Sequence, residues 1–285
     1  MDIKRRNIQY SKPCPVYLLA SFGCATTLLS EILCYPLEYI KVKLQMNGTQ
    51  GCPKYKNIKS LLAETTSIRQ YYRAINAQML KIIPYSTTRI FAYEFIRTAI
   101  TGDIVETTFR RKLSCASSAY AIALLTGNMG DILKIRMINN PELTLVQTIQ
   151  QSYNKTGLAG FFRGYWLNVI TITAIQAVEI SLFERFQRFF VKNFTQGDNS
   201  IGIDVLSSLL TGISGGVLTA PLDGFKSRYM NQVIDQQTYW NTFISLIKDE
   251  GLFGLYKGTL PYCIKLSIGS TLTFVLYEQF KKQII

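Results

Sequence analysis

An acidic residue followed three positions later by a lysine recurs at a nearly constant interval in three apolar segments of this chain, at Glu38, Asp131 and Asp223. Residues three apart lie on one face of a helix. Charges at membrane depth are costly unless each has a partner of opposite sign. If three such helices surround one axis, the acid of each helix can pair with the lysine of the next. The spacing therefore predicts three ion pairs between helices, which can form and break together: Glu38–Lys134, Asp131–Lys226 and Asp223–Lys41.

The sequence around these pairs repeats at a nearly constant interval. Pro36-Leu37-Glu38 matches Pro221-Leu222-Asp223, and Met129-Gly130-Asp131 matches both with its proline lost. The interval is 93 residues from Pro36 to Met129 and 92 residues from Met129 to Pro221. One copy alone would be explained better by a local pair on a solvated helix end. A fixed period instead indicates one structural unit that is used three times.

The composition favours a membrane protein with a polar interior. Hydrophobic residues make up 48% of the chain and charged residues only 17%, which is a lean charge content for a soluble protein. Uncharged runs of 18 residues occur at 13–30, 113–130 and 205–222, and this is about the minimum length for a spanning helix. Because these runs contain Ser, Thr, Gly and Tyr, we expect helices that line a polar cavity instead of facing lipid on every side.

These motifs resemble those of the mitochondrial carrier family, whose signature P-x-[DE]-x-x-[KR] ends each odd-numbered transmembrane helix of a threefold repeat. The likeness extends over essentially the whole chain. It implies an all-α membrane protein of the mitochondrial inner membrane, with six transmembrane helices in three pseudo-symmetric repeats around a central cavity and short amphipathic helices on the matrix side. We expect one carrier domain over 1–285, with repeats at about 12–102, 108–194 and 201–285.

The helices that this pattern predicts can be placed approximately. We expect spanning helices over about 16–45, 72–100, 112–139, 165–191, 203–233 and 260–282, and loop helices near 58–65 and 143–153. The second repeat is degenerate. Met129 replaces the proline, and Ile138 stands where repeat 1 has Gln45. Tyr120 and Leu124 occupy positions where close helix packing favours small residues.

A central binding site is predicted on the three even-numbered helices. Eight residues after the base of each loop signature stand Lys81, Thr171 and Lys265, which match the substrate contact points of the family. Two lysines at membrane depth require a counter-ion, so the site favours an anion. On the second helix, Tyr85 and Arg89 follow Lys81 at steps of four residues. Eight residues beyond Thr171 stands Glu179, which can neutralise Arg89 or a central lysine.

The resemblance also implies two gates. The matrix gate consists of the three ion pairs and Gln45, which we expect to form a hydrogen bond across the Glu38 pair. A second family signature, [YF]-[DE]-x-x-[KR], occurs at the ends of the even-numbered helices, with Gln187 in place of the base of repeat 2. It implies a cytoplasmic gate with the contacts Glu278–Arg97, Glu184–Lys281 and Glu94–Gln187. We expect a resting state closed on the matrix side.

Other partners follow from the charge and from the cysteines. The net charge is +13, but basic residues are spread over every loop, so we expect anionic lipid or solute instead of nucleic acid. Cardiolipin at the N-termini of the loop helices is one such expectation. The six cysteines form no C-x-x-C pair and the chain has no histidine, so we expect no metal and no cofactor. No nucleophile–base pair is evident, which argues against an enzyme.

Two functions remain open at this stage. The first is a solute carrier that exchanges small, dicarboxylate-like anions by alternating access, because the second and sixth helices look like those of the dicarboxylate and oxoglutarate carriers. The second is a carrier-fold subunit of a larger inner-membrane complex, which the degenerate second repeat would suit.

Overall fold

The computed structural model describes residues 16–47, 58–65, 67–101, 109–194, 201–232 and 238–284, with the side chains of 16–20, 101, 109, 110, 112, 274, 277, 278 and 280–284 excepted. Helices account for nearly all of these residues. Six of the helices are long: α1 (Val16–Gln45), α4 (Ile75–Thr101), α5 (Phe109–Asn139), α7 (Tyr165–Phe194), α8 (Ile201–Asn231) and α10 (Thr259–Ile284). The short ones are α2 (Ile58–Glu64), α3 (Ile68–Tyr71), α6 (Leu145–Thr156) and α9 (Tyr239–Glu250), and the single turns Leu158–Phe162 and Leu252–Tyr256 precede α7 and α10.

The six long helices form a closed ring. Each contacts its two neighbours in the order α1, α4, α5, α7, α8 and α10, and α10 returns to α1. The short helix α2 packs against α1, α6 against α5 and α9 against α8. Each short helix therefore contacts the first long helix of its own repeat. This arrangement confirms the predicted all-α fold with six long helices in three repeats.

Hydropathy alone identifies only part of this ring. Within the described residues, two segments, Leu158–Phe194 and Ile201–Asn231, are long and apolar enough to cross a membrane by that criterion. The other long helices have between 26 and 31 residues, and a span requires about 20. Helix α4 is less apolar because it carries charged residues along its length, namely Lys81, Arg89, Glu94 and Arg97.

An apolar core closes the ring where α1, α5 and α8 end. Its members include Tyr35 and Val42 of α1, Ile132 and Leu133 of α5, and Met230 of α8, each at most 1% exposed. Burying side chains of this size contributes about 1.5–3 kcal/mol each. The core therefore holds the C-terminal ends of α1, α5 and α8 together.

Glycines bring particular helices into close contact. A Cβ atom added at Gly130 of α5 would lie 2.6 Å from the Cβ of Lys81 on α4, so no larger residue fits there. In repeat 3, Gly216 of α8 similarly lies against Cys263 of α10. On α5 the matching position is Leu124, which is fully buried. Gly130 of α5 thus faces α4 of the previous repeat, whereas Gly216 of α8 faces α10 of its own repeat.

Candidate functional site

The acid–lysine pairs of the three repeats meet at the C-terminal ends of α1, α5 and α8. The Nζ atom of Lys134 lies 2.7 Å from Oε1 of Glu38, and Lys41 Nζ lies 3.0 Å from Oδ2 of Asp223. Lys226 Nζ lies 3.8 Å from Oδ2 of Asp131. The structure therefore contains all three of the expected pairs between helices, and their role as a gate stays a prediction.

Two of these lysines also contact the acid of their own helix. Lys41 lies 3.2 Å from Glu38, and Lys134 lies 3.4 Å from Asp131. The local pairing and the pairing between helices thus coexist, because each of these lysines sits between two carboxylates.

The two central lysines reach the same carboxylates. Lys81 Nζ lies 2.9 Å from Oδ1 of Asp131, and Lys265 Nζ lies 3.1 Å from Oε2 of Glu38. Both lysine side chains are only 15% exposed. The predicted binding site and the predicted matrix gate are therefore joined. The four-carbon stem of lysine spans the distance from the central contact positions to the acid–lysine pairs.

Glu31 of α1 extends this set of contacts into the bundle. Its carboxylate lies 3.1 Å from Lys265 Nζ and accepts a hydrogen bond of 3.0 Å from Nε2 of Gln78 on α4. From the sequence, Glu31 is noticeable only as an acid within an apolar stretch, and its partners cannot be read from spacing. Nine side chains linked by successive ion pairs of at most 4.0 Å, here called the charge network, are Lys41, Lys81, Lys134, Lys226, Lys265, Glu31, Glu38, Asp131 and Asp223.

Gln45 occupies a different place from the one expected. Its Nε2 donates a 2.7 Å hydrogen bond to Oδ2 of Asp223, so the expectation that it spans the Glu38 pair is wrong. Gln45 stands one helical turn beyond Lys41, and the ion-pair partner of Lys41 between helices is Asp223. A residue one turn further therefore lies beside the same carboxylate.

Buried amides also bind Asp131. Nδ2 of Asn168 on α7 lies 3.0 Å from Oδ2 of Asp131 and 3.1 Å from Oδ1 of Asn128. Asn128 in turn donates to the carbonyl of Phe161 at 2.8 Å. Sequence reasoning missed these residues, although a signal was present: Gln78, Asn168 and Tyr262 each stand three residues before a predicted central contact point.

Arg89 and Glu179 do not pair. Arg89 donates from Nη1 to the hydroxyl of Tyr120 at 3.2 Å. Glu179 accepts a 3.1 Å hydrogen bond from Gln176 and forms no ion pair with any described side chain. The expected neutralisation of Arg89 or a central lysine by Glu179 is therefore wrong, because α7 adjoins neither α4 nor α10 in the ring.

Tyr120 packs between helices and also contacts two of the predicted site residues, Arg89 and Tyr85. Its ring centroid lies 6.4 Å from that of Tyr85, and the Lys81 ammonium lies 5.4 Å from the centroid of the Tyr85 ring. A cation beside an aromatic ring is attracted by about 0.5–2 kcal/mol. The bulky residue that the sequence marked as a packing defect therefore helps to hold Arg89.

Thr171 stays apart from the charge network. It is fully buried, and its hydroxyl donates to the carbonyl of Leu167, one turn earlier, at 2.7 Å. The position thus has no cation to offer Asp223, whose amide partner is Gln45. A lysine therefore occupies the central contact position in repeats 1 and 3, and Thr171 replaces it in repeat 2.

The opposite mouth of the ring has local contacts. Glu94 lies 3.4 Å from Arg97 on α4, and Glu184 lies 3.2 Å from Arg188 on α7. Gln187 donates to Oδ1 of Asp204 at 2.7 Å, and the Glu94–Gln187 contact, which belongs to the state closed on the cytoplasmic side, stays a prediction. The side chains of Glu278 and Lys281 lie outside the described residues, and their pairs with Arg97 and Glu184 stay predictions.

A closed ring of six long helices in three repeats, with an ionic network buried inside it, defines a membrane transport protein. The family model described as "Mitochondrial carrier protein" matches residues 12–103, 105–194 and 197–285. The chain belongs to the mitochondrial carrier family, and is a multi-pass protein of the mitochondrial inner membrane. Members of this family are transporters and not enzymes.

Curated relatives align with nearly the whole chain. The mitochondrial brown fat uncoupling protein 1 of Canis lupus familiaris is 25% identical over 95% of this chain and 92% of its own length. The mitochondrial 2-oxoglutarate/malate carrier protein of Caenorhabditis elegans is 25% identical over 91% of this chain and 90% of its own. The mitochondrial dicarboxylate transporter of Saccharomyces cerevisiae is 24% identical over 92% of this chain and 91% of its own.

Proposed function

We propose that this protein exchanges small anionic metabolites across the mitochondrial inner membrane by alternating access. The observation that carries this proposal is the position of Lys81 and Lys265, two mostly buried cations whose partners are carboxylates of the matrix gate. A buried cation needs a counter-ion. A carboxylate-bearing solute supplies a second counter-ion that competes with the gate.

The contacts suggest how binding and gating are coupled. An anion bound to Lys81 and Lys265 draws both ammonium groups away from Asp131 and Glu38. Each of these carboxylates then keeps the contacts to the gate lysines alone, so the matrix-side closure weakens. The proposed matrix gate comprises Glu38, Lys41, Gln45, Asp131, Lys134, Asp223 and Lys226.

The cytoplasmic gate would form when the matrix gate opens. Its proposed members are Glu94, Arg97, Glu184, Gln187, Glu278 and Lys281. In the present conformation Glu94 and Glu184 each contact a base of their own helix at 3.4 and 3.2 Å, so both are available to exchange partners. Tyr85, Arg89, Thr171 and Glu179 complete the proposed cavity lining with the two central lysines.

Uptake by reconstituted vesicles tests this proposal. We expect purified protein in liposomes to exchange labelled small carboxylates, and Lys81→Ala or Lys265→Ala to abolish the exchange because each removes one of the two central cations. Lys155→Ala is the matched control, since Lys155 is exposed on α6. Robust uptake that survives loss of both Lys81 and Lys265 would contradict the anion site.

A structural role in a larger inner-membrane complex is the second candidate. The observation that favours it is the buried amide cluster of Asn128 and Asn168, which fixes α5 to α7. The next residue of α5, Met129, stands where α1 and α8 have a proline. A transporter must repack these helices in each cycle, whereas a subunit needs one packing only. Absence of uptake, together with recovery of the protein in a stoichiometric complex, would establish this alternative.

Anionic lipid of the cardiolipin type stays a prediction for the N-termini of the loop helices. At α6 the capping residue Thr144 and Gln147 satisfy each other's backbone groups. At α9 the capping residue Thr238 makes no side-chain cap hydrogen bond. Backbone N–H groups at a helix N-terminus attract phosphate, so α9 is the better candidate of the two.

A further inference from the structure

The charge network contains unequal numbers of positive and negative groups. It has five lysines and four carboxylates, all linked by ion pairs. With every group ionised, its net charge is therefore +1. Arg89 and Glu179 form no ion pair with a described member of the network, so they are not part of this sum.

Glu31 is the acid of the charge network that has no counterpart in the other two repeats. The matching positions, one and two repeat intervals later, are Leu124 and Gly216, and neither can ionise. Without Glu31 the network would carry a charge of +2. Glu31 stands beside the proposed anion site, because it shares Lys265 with Glu38 at 3.1 Å from each carboxylate.

An uncompensated charge inside a membrane protein is unfavourable, and the interior attracts a ligand that cancels it. A ligand with one net negative charge neutralises the network, whereas a ligand with two leaves one negative charge without a partner. Resting on the proposed function, we infer that Glu31 sets the charge of the transported species at one net negative charge, and that it does so by occupying one side of Lys265.

A neighbouring group indicates a second property of the ligand. Gln78 is 2% exposed, and its Nε2 is committed to Glu31. Its carbonyl oxygen, Oε1, is buried without a hydrogen-bond partner among the described groups. A buried acceptor of this kind favours a ligand that donates a hydrogen bond. The ligand class is therefore a small carboxylate with one net negative charge and an adjacent donor, which acidic amino acids satisfy.

Glutamate and 2-oxoglutarate are the probes that separate the alternatives. They have nearly the same size and the same two carboxylates, but glutamate carries an ammonium group and one net negative charge, whereas 2-oxoglutarate carries two. We expect the wild-type protein in liposomes to exchange glutamate faster than 2-oxoglutarate. The Glu31→Gln variant should shift the ratio of the two rates toward 2-oxoglutarate by about ten-fold or more, which corresponds to about 1.4 kcal/mol.

Two further variants control this experiment. Glu31→Asp keeps the charge and should keep the preference for glutamate. Glu64→Gln makes the same chemical change on an exposed face of α2 and should leave the ratio unaltered. The shift in melting temperature that each probe produces in detergent is measured in parallel and should show the same order of preference.

The outcomes distinguish this inference from the proposed function. If neither wild type nor Glu31→Gln exchanges or binds either probe, the proposed anion transport itself fails. If the probes are exchanged with a ratio that Glu31→Gln leaves unchanged, the carrier function stands and the role of Glu31 is refuted. A wild-type preference for 2-oxoglutarate would likewise refute it.

Discussion

At the scale of single residues, the same position on two helices has opposite surroundings. Arg228 of α8 pairs with Glu250 at 2.7 Å and donates to the carbonyl of Gln45 at 2.7 Å. Arg136 occupies the matching position on α5, is 2% exposed, and none of its guanidinium nitrogens has a hydrogen-bond partner in the described part of the chain. The reason is the residue that precedes the helix-capping glycine, which is Glu250 in repeat 3 and Thr156 in repeat 2.

This asymmetry predicts opposite effects of the same substitution. Arg228→Leu should lower the free energy of unfolding by about 1–3 kcal/mol, because it leaves buried acceptors without their donor. Arg136→Leu should be neutral or stabilising, because it replaces an unpaired buried charge by an apolar side chain. Melting temperatures of the two variants in the same detergent test this difference. Equal losses of stability in both would show that Arg136 has a partner.

At the scale of helices, α5 is held by buried amide hydrogen bonds next to the position where α1 and α8 contain a proline. Asn168→Ala removes donors from Asp131 and from Asn128, both of which are buried. We expect a lower melting temperature, by an amount equivalent to about 1–3 kcal/mol. Asn154→Ala, at an exposed position of α6, is the control and should have no effect. A variant Asn168→Ala as stable as wild type would mean that α5 does not depend on these amides.

The sequence predicts the helices well because their signals are local. The first spanning helix was expected over about 16–45 and is observed over Val16–Gln45, since apolar length and the repeated motif determine it together. Contacts between the central lysines and the gate carboxylates are harder to predict from sequence. The Lys81–Asp131 pair depends on how far a side chain extends and on the close approach that Gly130 permits, and neither is visible in spacing. Gln45 and Glu179 were assigned wrong partners for the same reason.

At the scale of the whole molecule, one end of the ring is closed by ion pairs between helices. At the other end, the ion pairs seen among the described side chains join residues of the same helix. A bias of about 5 kcal/mol toward one state would leave the other almost unpopulated. The protein without ligand is therefore expected to rest with its matrix side closed.

Cysteine labelling can measure this bias. In a variant that lacks the six native cysteines, a cysteine replacing Glu94, whose side chain is 30% exposed, should react rapidly with a water-soluble maleimide. A cysteine replacing Ser227, which is 3% exposed at the closed end, should react slowly. Adding Asp131→Asn should accelerate labelling at position 227, because it removes an acid that three lysines share. Equal rates at both positions before that change would contradict a closed matrix side.

The continuity of the charge network has a thermodynamic consequence. If a solute alters the stability of the gate, then the gate must alter the affinity for the solute by the same factor, because linkage between two equilibria is reciprocal. Lys226 and Lys134 can strengthen solute binding without contacting the solute. Lys226 remains paired with Asp131 when Lys81 moves to the solute, and Lys134 remains paired with Glu38 when Lys265 does so. Affinity in this protein is therefore a property of all nine side chains, and substitutions far from the cavity will change it.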